Sequence, residues 1–321
     1  MRIFVTGAGG FVGAAVARQA LEDGHSVTAT VRPGSSADRI SAVHSNLELA
    51  PLDLRDATAV ASAVANSRPD VIIHVAWSGV SNRARQEQVQ IDDNISASCA
   101  LVEAAAQAGV SKIVGLGSQG EYGLLSGRIG EDALPVPTSL YGASKLATLY
   151  LTRQLAANAG MSFAWLRLFS TYGPGDNPHW LVPSLIEQML NGSRPKTTLG
   201  TQLWDYLYID DVARGILAVA TTQTATGVFN LGSGRAISIR SVVEAIRDVI
   251  DPKMELVFGE IPYRDDQIWH MEADITRLTS LTEWSPRIDL MPGLQQTITW
   301  HRGQRTHSGG TPSKAPAEHC A

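Results

Sequence analysis

Cysteine is nearly missing from this chain. Of 321 residues only Cys99 and Cys320 carry thiols, far apart in sequence. That excludes a disulfide framework and any zinc-ligand spacing, so no metal site is expected. An excess of positive charge is lacking too: the net charge of -5 offers no basic field to nucleic acid or to an anionic membrane. No apolar run approaches the length of a spanning helix. The chain enters a strand at its first residues, so a signal peptide is not expected either. Internal repeats are absent. An apolar share of 44% over this length is enough for a large core, in one big domain or two unequal lobes. These absences predict a cytoplasmic protein with no nucleic-acid or membrane partner.

Glycine is what the chain does have, and its placement matters most at the start. Residues 2–6 form a short apolar strand run, Gly7-Ala8-Gly9-Gly10-Phe11-Val12-Gly13 follows at once, and Ala14 to Leu21 has helical composition. Strand, glycine turn and helix in that order open a dinucleotide-binding βαβ unit. Gly7 permits the sharp turn, Gly10 permits close approach of a pyrophosphate, and Gly13 lets the helix sit against the strand. Phe11 and Val12 begin the helix, whose free N–H groups suit phosphate. The spacing is G-x-x-G-x-x-G, and alone it would also fit a plain structural turn.

Ser26 to Val31 reads as the second strand and ends at Arg32. NAD-specific folds place an acid near this point, on the ribose 2′-hydroxyl. An arginine there can pair with a 2′-phosphate, so NADP(H) is the expected cofactor and NAD(H) the alternative. Asp53 and Leu54, after a third short strand, fall near the adenine end. Val71 to Ala76 is a continuous apolar run of the buried parallel kind, which makes His74 a core or supporting histidine. A long helix is predicted over Glu87 to Ala108, a strand over Lys112 to Leu116, a second long helix within Val136 to Ala159, and a strand over Ser162 to Phe169.

This alternation predicts an α/β fold, a doubly wound parallel sheet of Rossmann type, over residues 1–169. From Thr171 onward the alternation breaks, which predicts a smaller, mixed substrate-binding lobe over 170–302. Part of 204–231 is expected to rejoin the sheet. Residues 303–321, poor in apolar anchors, are expected to form a flexible tail.

Tyr141 and Lys145 lie four residues apart at the start of a helix, on one face. A unit charge about 5 Å from the phenol, at an effective dielectric near 20, is worth about 3 kcal/mol, or roughly 2 pK units downward. That would suit Tyr141 to proton transfer near neutral pH. Ser118 ends a parallel strand, where doubly wound sheets place ligand contacts, and its hydroxyl can hold a carbonyl oxygen.

With these residues in view the chain resembles the extended short-chain dehydrogenase/reductase family, in its nucleotide-sugar epimerase, dehydratase and 4-ketoreductase branch. The resemblance runs from Met1 to about Trp300. It rests on TGAGGFVG at 6–13, DLRD at 53–56, HVAW at 74–77, GSQGEYG at 117–123, YGASK at 141–145, RLFSTYGPG at 167–175, DYLYIDDVA at 205–213 and YRDD at 263–266. It implies Tyr141 as acid/base, Ser118 as carbonyl partner, and Lys145 as both ribose ligand and tuner of the tyrosine. It also implies Ala76 beside the cofactor and Asn94 at the base of the active-site helix. Arg264 would hold the diphosphate of a nucleotide sugar.

Four positions depart from the family pattern. Trp77 replaces an alanine, Ser170 an asparagine and Glu121 an apolar residue, while Trp204-Asp205 stands for Arg-Asp. Trp77, Ser78, Glu121, Ser170, Trp204 and Arg264 are the candidate substrate contacts, with lobe packing the equal alternative for Trp77 and Trp204. The activity implied is NADP(H)-linked reduction of a 4-keto-6-deoxy sugar, with an NAD-dependent 4-epimerase as the alternative. A non-catalytic NADP-binding redox sensor is the rival of another class. A homodimer, through the Glu87–Ala108 and Gly142–Ala159 helices, is also implied.

Overall fold

Side chains alternate across the central strands, and that alternation places helices on both faces of one sheet. Ile3, Val5, Ile73 and Val114 point into one buried cluster, with Val16 and Ile216. Phe4, Ile72 and Ile113 point into the opposite one, with Val64, Leu101 and Leu149. The structure, a computed structural model, describes residues 1–40, 46–81 and 83–307.

The strands are β1 (Arg2–Thr6), β2 (Ser26–Val31), β3 (Leu47–Pro51), β4 (Val71–His74), β5 (Lys112–Ser118), β6 (Gly127–Ile129), β7 (Ser162–Leu168), β8 (Ser170–Tyr172), β9 (Leu203–Tyr208), β10 (Gly227–Leu231), β11 (Ala236–Ser238) and β12 (His270–Ala273). The helices are α1 (Phe11–Glu22), α2 (Ala57–Ser67), α3 (Val89–Asp92), α4 (Ile95–Gln107), α5 (Leu140–Asn158), α6 (Leu181–Leu190), α7 (Ile209–Thr221), α8 (Ile239–Ile250), α9 (Thr276–Thr282) and α10 (Leu290–His307). The main sheet has seven strands in the order β10-β7-β5-β4-β1-β2-β3. Every pair in it is parallel. The order reverses between β1 and β4, where such sheets open a ligand crevice. A second, mixed sheet runs β11-β9-β12-β6, with β8 attached to β9. Strand β10 rejoins the main sheet, whereas β9 belongs to the second.

Lys112 ties the main sheet to α7. Its buried ammonium donates to the carbonyls of Val219, Thr222 and Ala225 at 2.6, 2.7 and 2.8 Å, closing the end of that helix. Burial lowers its pKa to about 8.

Two expected boundaries shift. The long helix expected over Glu87–Ala108 is broken into α3 and α4, and a 3₁₀ turn at Arg83–Gln86 precedes them. Asn94 makes the break. Its amide accepts from the Ser78 N–H at 2.7 Å and donates to Ser78, Val89 and Gln90 carbonyls, competing with the helical ladder. Helix α5 lies within its expected span: it starts at Leu140, after Pro135 and Pro137, where Ser139 caps it, accepting from the Gly142 N–H at 3.1 Å. At the far end α10 continues to His307, past the expected start of the tail at 303. Residues 308–321, with Cys320, lie outside the described residues.

Candidate active site

The crevice at the order reversal is a cavity of about 1240 Å³. One half of it is made by the glycine turn. Gly7 has φ +73°, and its carbonyl accepts the Gly10 N–H at 2.9 Å. A Cβ on Gly13 would stand 2.2 Å from the Gly7 oxygen, so α1 sits on the turn as closely as backbone allows. Gly10 caps α1 without a side-chain hydrogen bond. Gly7, Gly10, Phe11, Val12 and Gly13 all line the cavity.

Ala76 closes in from β4. A Cβ on Gly7 would lie 2.7 Å from the Ala76 Cα, and the Ala76 N–H donates to Thr6 Oγ1 at 3.2 Å. Arg32, Asp53 and Leu54 line the same half. The Arg55 guanidinium holds the Asp53 carboxylate ionised, with a pKa of about 2, through hydrogen bonds of 3.0 and 2.7 Å. This narrow, side-chain-free cradle beside a helix N-terminus fits the pyrophosphate of a dinucleotide.

Ser118, Tyr141 and Lys145 meet where the halves join. Ser118 ends β5 and caps a 3₁₀ turn over Gln119–Glu121, accepting the Gly120 N–H at 3.1 Å. Tyr141, only 8% exposed, and Lys145 both rise from the first turns of α5. Burial raises the Tyr141 pKa, opposed by a hydrogen bond with Ser118 and the nearby charge of Arg85. The expected lowering of this phenol by Lys145 is therefore corrected. The lysine ammonium donates to the Leu116 carbonyl at 2.6 Å and lies 3.7 Å from the centre of the Trp77 ring. Burial lowers its own pKa to about 7. Beneath it His74 contacts Thr6 Oγ1 at 2.8 Å and Ser98 Oγ at 2.9 Å. Burial, and then the Lys145 charge, lower its pKa to about 3, so it is a neutral support.

The other half of the cavity is made by side chains. Trp77 meets the Tyr141 ring edge-on at 6.1 Å, and its Nε1 donates to Gln90 Oε1 at 2.8 Å. Ser78, Ser170, Trp204 and Arg264 line the wall. Arg264 is half exposed and only 3.6 Å from Asp266. Glu121 is the exception among the candidate contacts. The 3₁₀ turn rotates it inward, away from the cavity, where it is fully buried. There it accepts from Arg167 Nε at 2.8 Å, Trp165 Nε1 at 3.0 Å and the Ser118 N–H at 2.9 Å. It holds the floor under Ser118, and a substrate contact is excluded by that burial.

Among the cavity residues that the sequence does not single out are Arg85 and Trp180. Arg85, from the 3₁₀ turn after β4, lies 4.8 Å from the centre of the Tyr141 ring and 5.3 Å from that of Trp180. A charged residue in the loop that leaves the order reversal was the available signal for the first. Nothing in the sequence singled out Trp180.

A doubly wound parallel sheet with Ser, Tyr and Lys at its carboxyl edge defines an enzyme of the extended short-chain dehydrogenase/reductase class. Within it, residues 3–232 match the model described as the NAD dependent epimerase/dehydratase family, and the chain belongs to that family. It is 28% identical over 317 residues to a dTDP-glucose 4,6-dehydratase of Streptomyces griseus, covering 95% of each chain. It is 31% identical over 269 residues to a UDP-glucose 4-epimerase of Corynebacterium glutamicum, covering 78% of this chain and 80% of that one. Among solved structures, the UDP-glucuronic acid 4-epimerase of Bacillus cereus, in complex with UDP-glucuronic acid and NAD, matches with a TM-score of 0.81 at 26% identity. That match covers 95% of this chain and 100% of the other.

Proposed function

We propose that the protein is an NADP(H)-preferring oxidoreductase that reduces the keto group of a nucleotide-linked 4-keto-6-deoxy sugar. The observation behind this reading is the convergence of Ser118, Tyr141 and Lys145 beside the glycine cradle. Gly7, Gly10, Phe11, Val12 and Gly13 would hold the pyrophosphate, Asp53 and Leu54 the adenine end, and Ala76 with Lys145 the nicotinamide end. When bound, the dinucleotide supplies the hydride. Ser118 donates a hydrogen bond to the sugar's carbonyl oxygen and fixes its position. Tyr141 delivers a proton to that oxygen as negative charge develops there. Buried at the junction, the phenol is shielded from water, which strengthens its bond to the oxygen. Trp77, Ser78, Ser170 and Trp204 would shape the sugar pocket, and Arg264 would pair with the diphosphate.

Arg32 supports the choice of NADP(H), because it lines the cavity where an acid would serve NAD. The second reading is a 4-epimerase that retains NAD. It is favoured by the relatives, among them the Bacillus cereus enzyme with its bound NAD. Incubation with nucleotide 4-keto sugars and with their 4-hydroxy counterparts separates the two: loss of NADPH absorbance with the keto sugars supports reduction, and inversion at C4 of the hydroxy sugars without net NADPH loss supports epimerisation. Any turnover dismisses the redox-sensor reading. A homodimer through α4 and α5 belongs to the same reading. It is supported by the exposed apolar side chains of Tyr150 and Leu151 on α5, and sedimentation tests it.

A further inference from the structure

Arg85 is placed like a ligand contact, in the cavity wall beside Tyr141. Its guanidinium packs against the Tyr141 and Trp180 rings, and its Nε is buried with no hydrogen-bond partner among the described residues. A buried N–H left unpaired is costly, and natural sites keep such donors where a ligand satisfies them. The neighbouring acid does not serve it: Glu87 faces Arg83 instead, at 3.9 Å. Glu121, behind Ser118, is already engaged by Arg167 and Trp165. Arg85 lines the cavity on the Tyr141 side, away from the glycine turn.

We propose that Arg85 is a specificity-determining residue of the sugar subsite, donating hydrogen bonds to a hydroxyl or carbonyl oxygen of the hexose next to the reacting carbon. Packing between the Tyr141 and Trp180 rings holds the guanidinium beside the phenol, within reach of a sugar lying against it. The inference rests on the nucleotide-sugar reading above and adds that the glycosyl group, not only the diphosphate, meets a cation. Arg85 would therefore discriminate a sugar nucleotide from the free nucleotide, whereas Arg264 would hold both alike.

Calorimetric titration tests this with paired probes, UDP-glucose against UDP and dTDP-glucose against dTDP, in the presence of cofactor. Arg85→Met keeps the stacked volume and removes the donors. It should weaken the nucleotide sugar about tenfold or more, the usual effect of losing a charged hydrogen bond, and leave the free nucleoside diphosphate unchanged. Arg85→Lys, with charge but no planar fork, should fall between the two. Equal weakening of sugar nucleotide and free nucleotide, or no weakening of either, would overturn the assignment and leave the proposed function standing. If the wild type bound neither pair, the nucleotide-sugar reading itself would fall, and this inference with it.

Discussion

The two halves of the cavity are built from different material. Around the glycine turn the wall is largely backbone: a methyl on Gly13 would stand 2.2 Å from the Gly7 oxygen, and one on Gly7 would stand 2.7 Å from the Ala76 Cα. Around Tyr141 the wall is rings and guanidinium groups, with Trp77, Arg85, Trp180, Trp204 and Arg264 brought together from separate segments. A backbone wall can be altered only by breaking it, because its shape is set by φ, ψ and the absence of Cβ atoms. A side-chain wall can be altered one residue at a time. The first half therefore suits a ligand that stays the same, and the second a ligand that varies.

The sharpest way to test that contrast acts at the seam. Tyr141→Phe should leave binding in both halves intact, measured by calorimetry, while the turnover rate falls by about two to four orders of magnitude. A variant that kept most of its rate would sink the acid/base role. Gly13→Ala comes next and should damage the turn half alone. The new methyl, 2.2 Å from the Gly7 oxygen, must push α1 off the turn. Overpacking of this kind costs about 1–3 kcal/mol, to be read from denaturant unfolding, with loss of dinucleotide affinity alongside. An unaffected protein would mean that the cradle is looser than its geometry.

Arg32→Asp should change cofactor choice without touching the ring half. A charge-assisted contact worth about 1.5–3 kcal/mol predicts a preference shift of more than tenfold from NADPH towards NADH in fluorescence titration. Equal wild-type affinity for the two would remove the case for NADP(H). The smallest effect is expected at Arg264, which is half exposed and screened by solvent. Arg264→Ala should raise the KM for the nucleotide sugar several-fold and leave dinucleotide affinity alone. Equal harm to both ligands would indicate a folding role.

The same contrast decides what could be read from the sequence. The parallel sheet was legible because β1, β4 and β5 carry apolar runs, and the turn because its glycines are local and consecutive. Tyr141 and Lys145 were legible because helical spacing puts both on one face. Glu121 was misjudged, since being three residues after Ser118 says nothing about which way the 3₁₀ turn rotates it. The missing clue lay elsewhere, in Arg167 within the apolar run of β7. A lone charge there requires a buried partner, and Glu121 is that partner at 2.8 Å. That Lys145 also reaches the Leu116 carbonyl was not legible, because that carbonyl belongs to β5, far off in sequence. Arg85 and Trp180 depend on how two distant loops fold over one ring, which no local pattern encodes.

The strand order also bears on how such a protein can change over generations. The chain leaves the main sheet after β5 to place β6 in the second sheet, returns for β7, leaves again for β8 and β9, and returns for β10. No single cut separates the two sheets. The clamp of Lys112 on the end of α7 spans these departures and would lose its acceptors if the chain were divided between them. The ring half cannot be exchanged as one contiguous cassette, by recombination or by an engineer. New substrates must be reached through point substitutions within the cavity, with the sheet inherited whole.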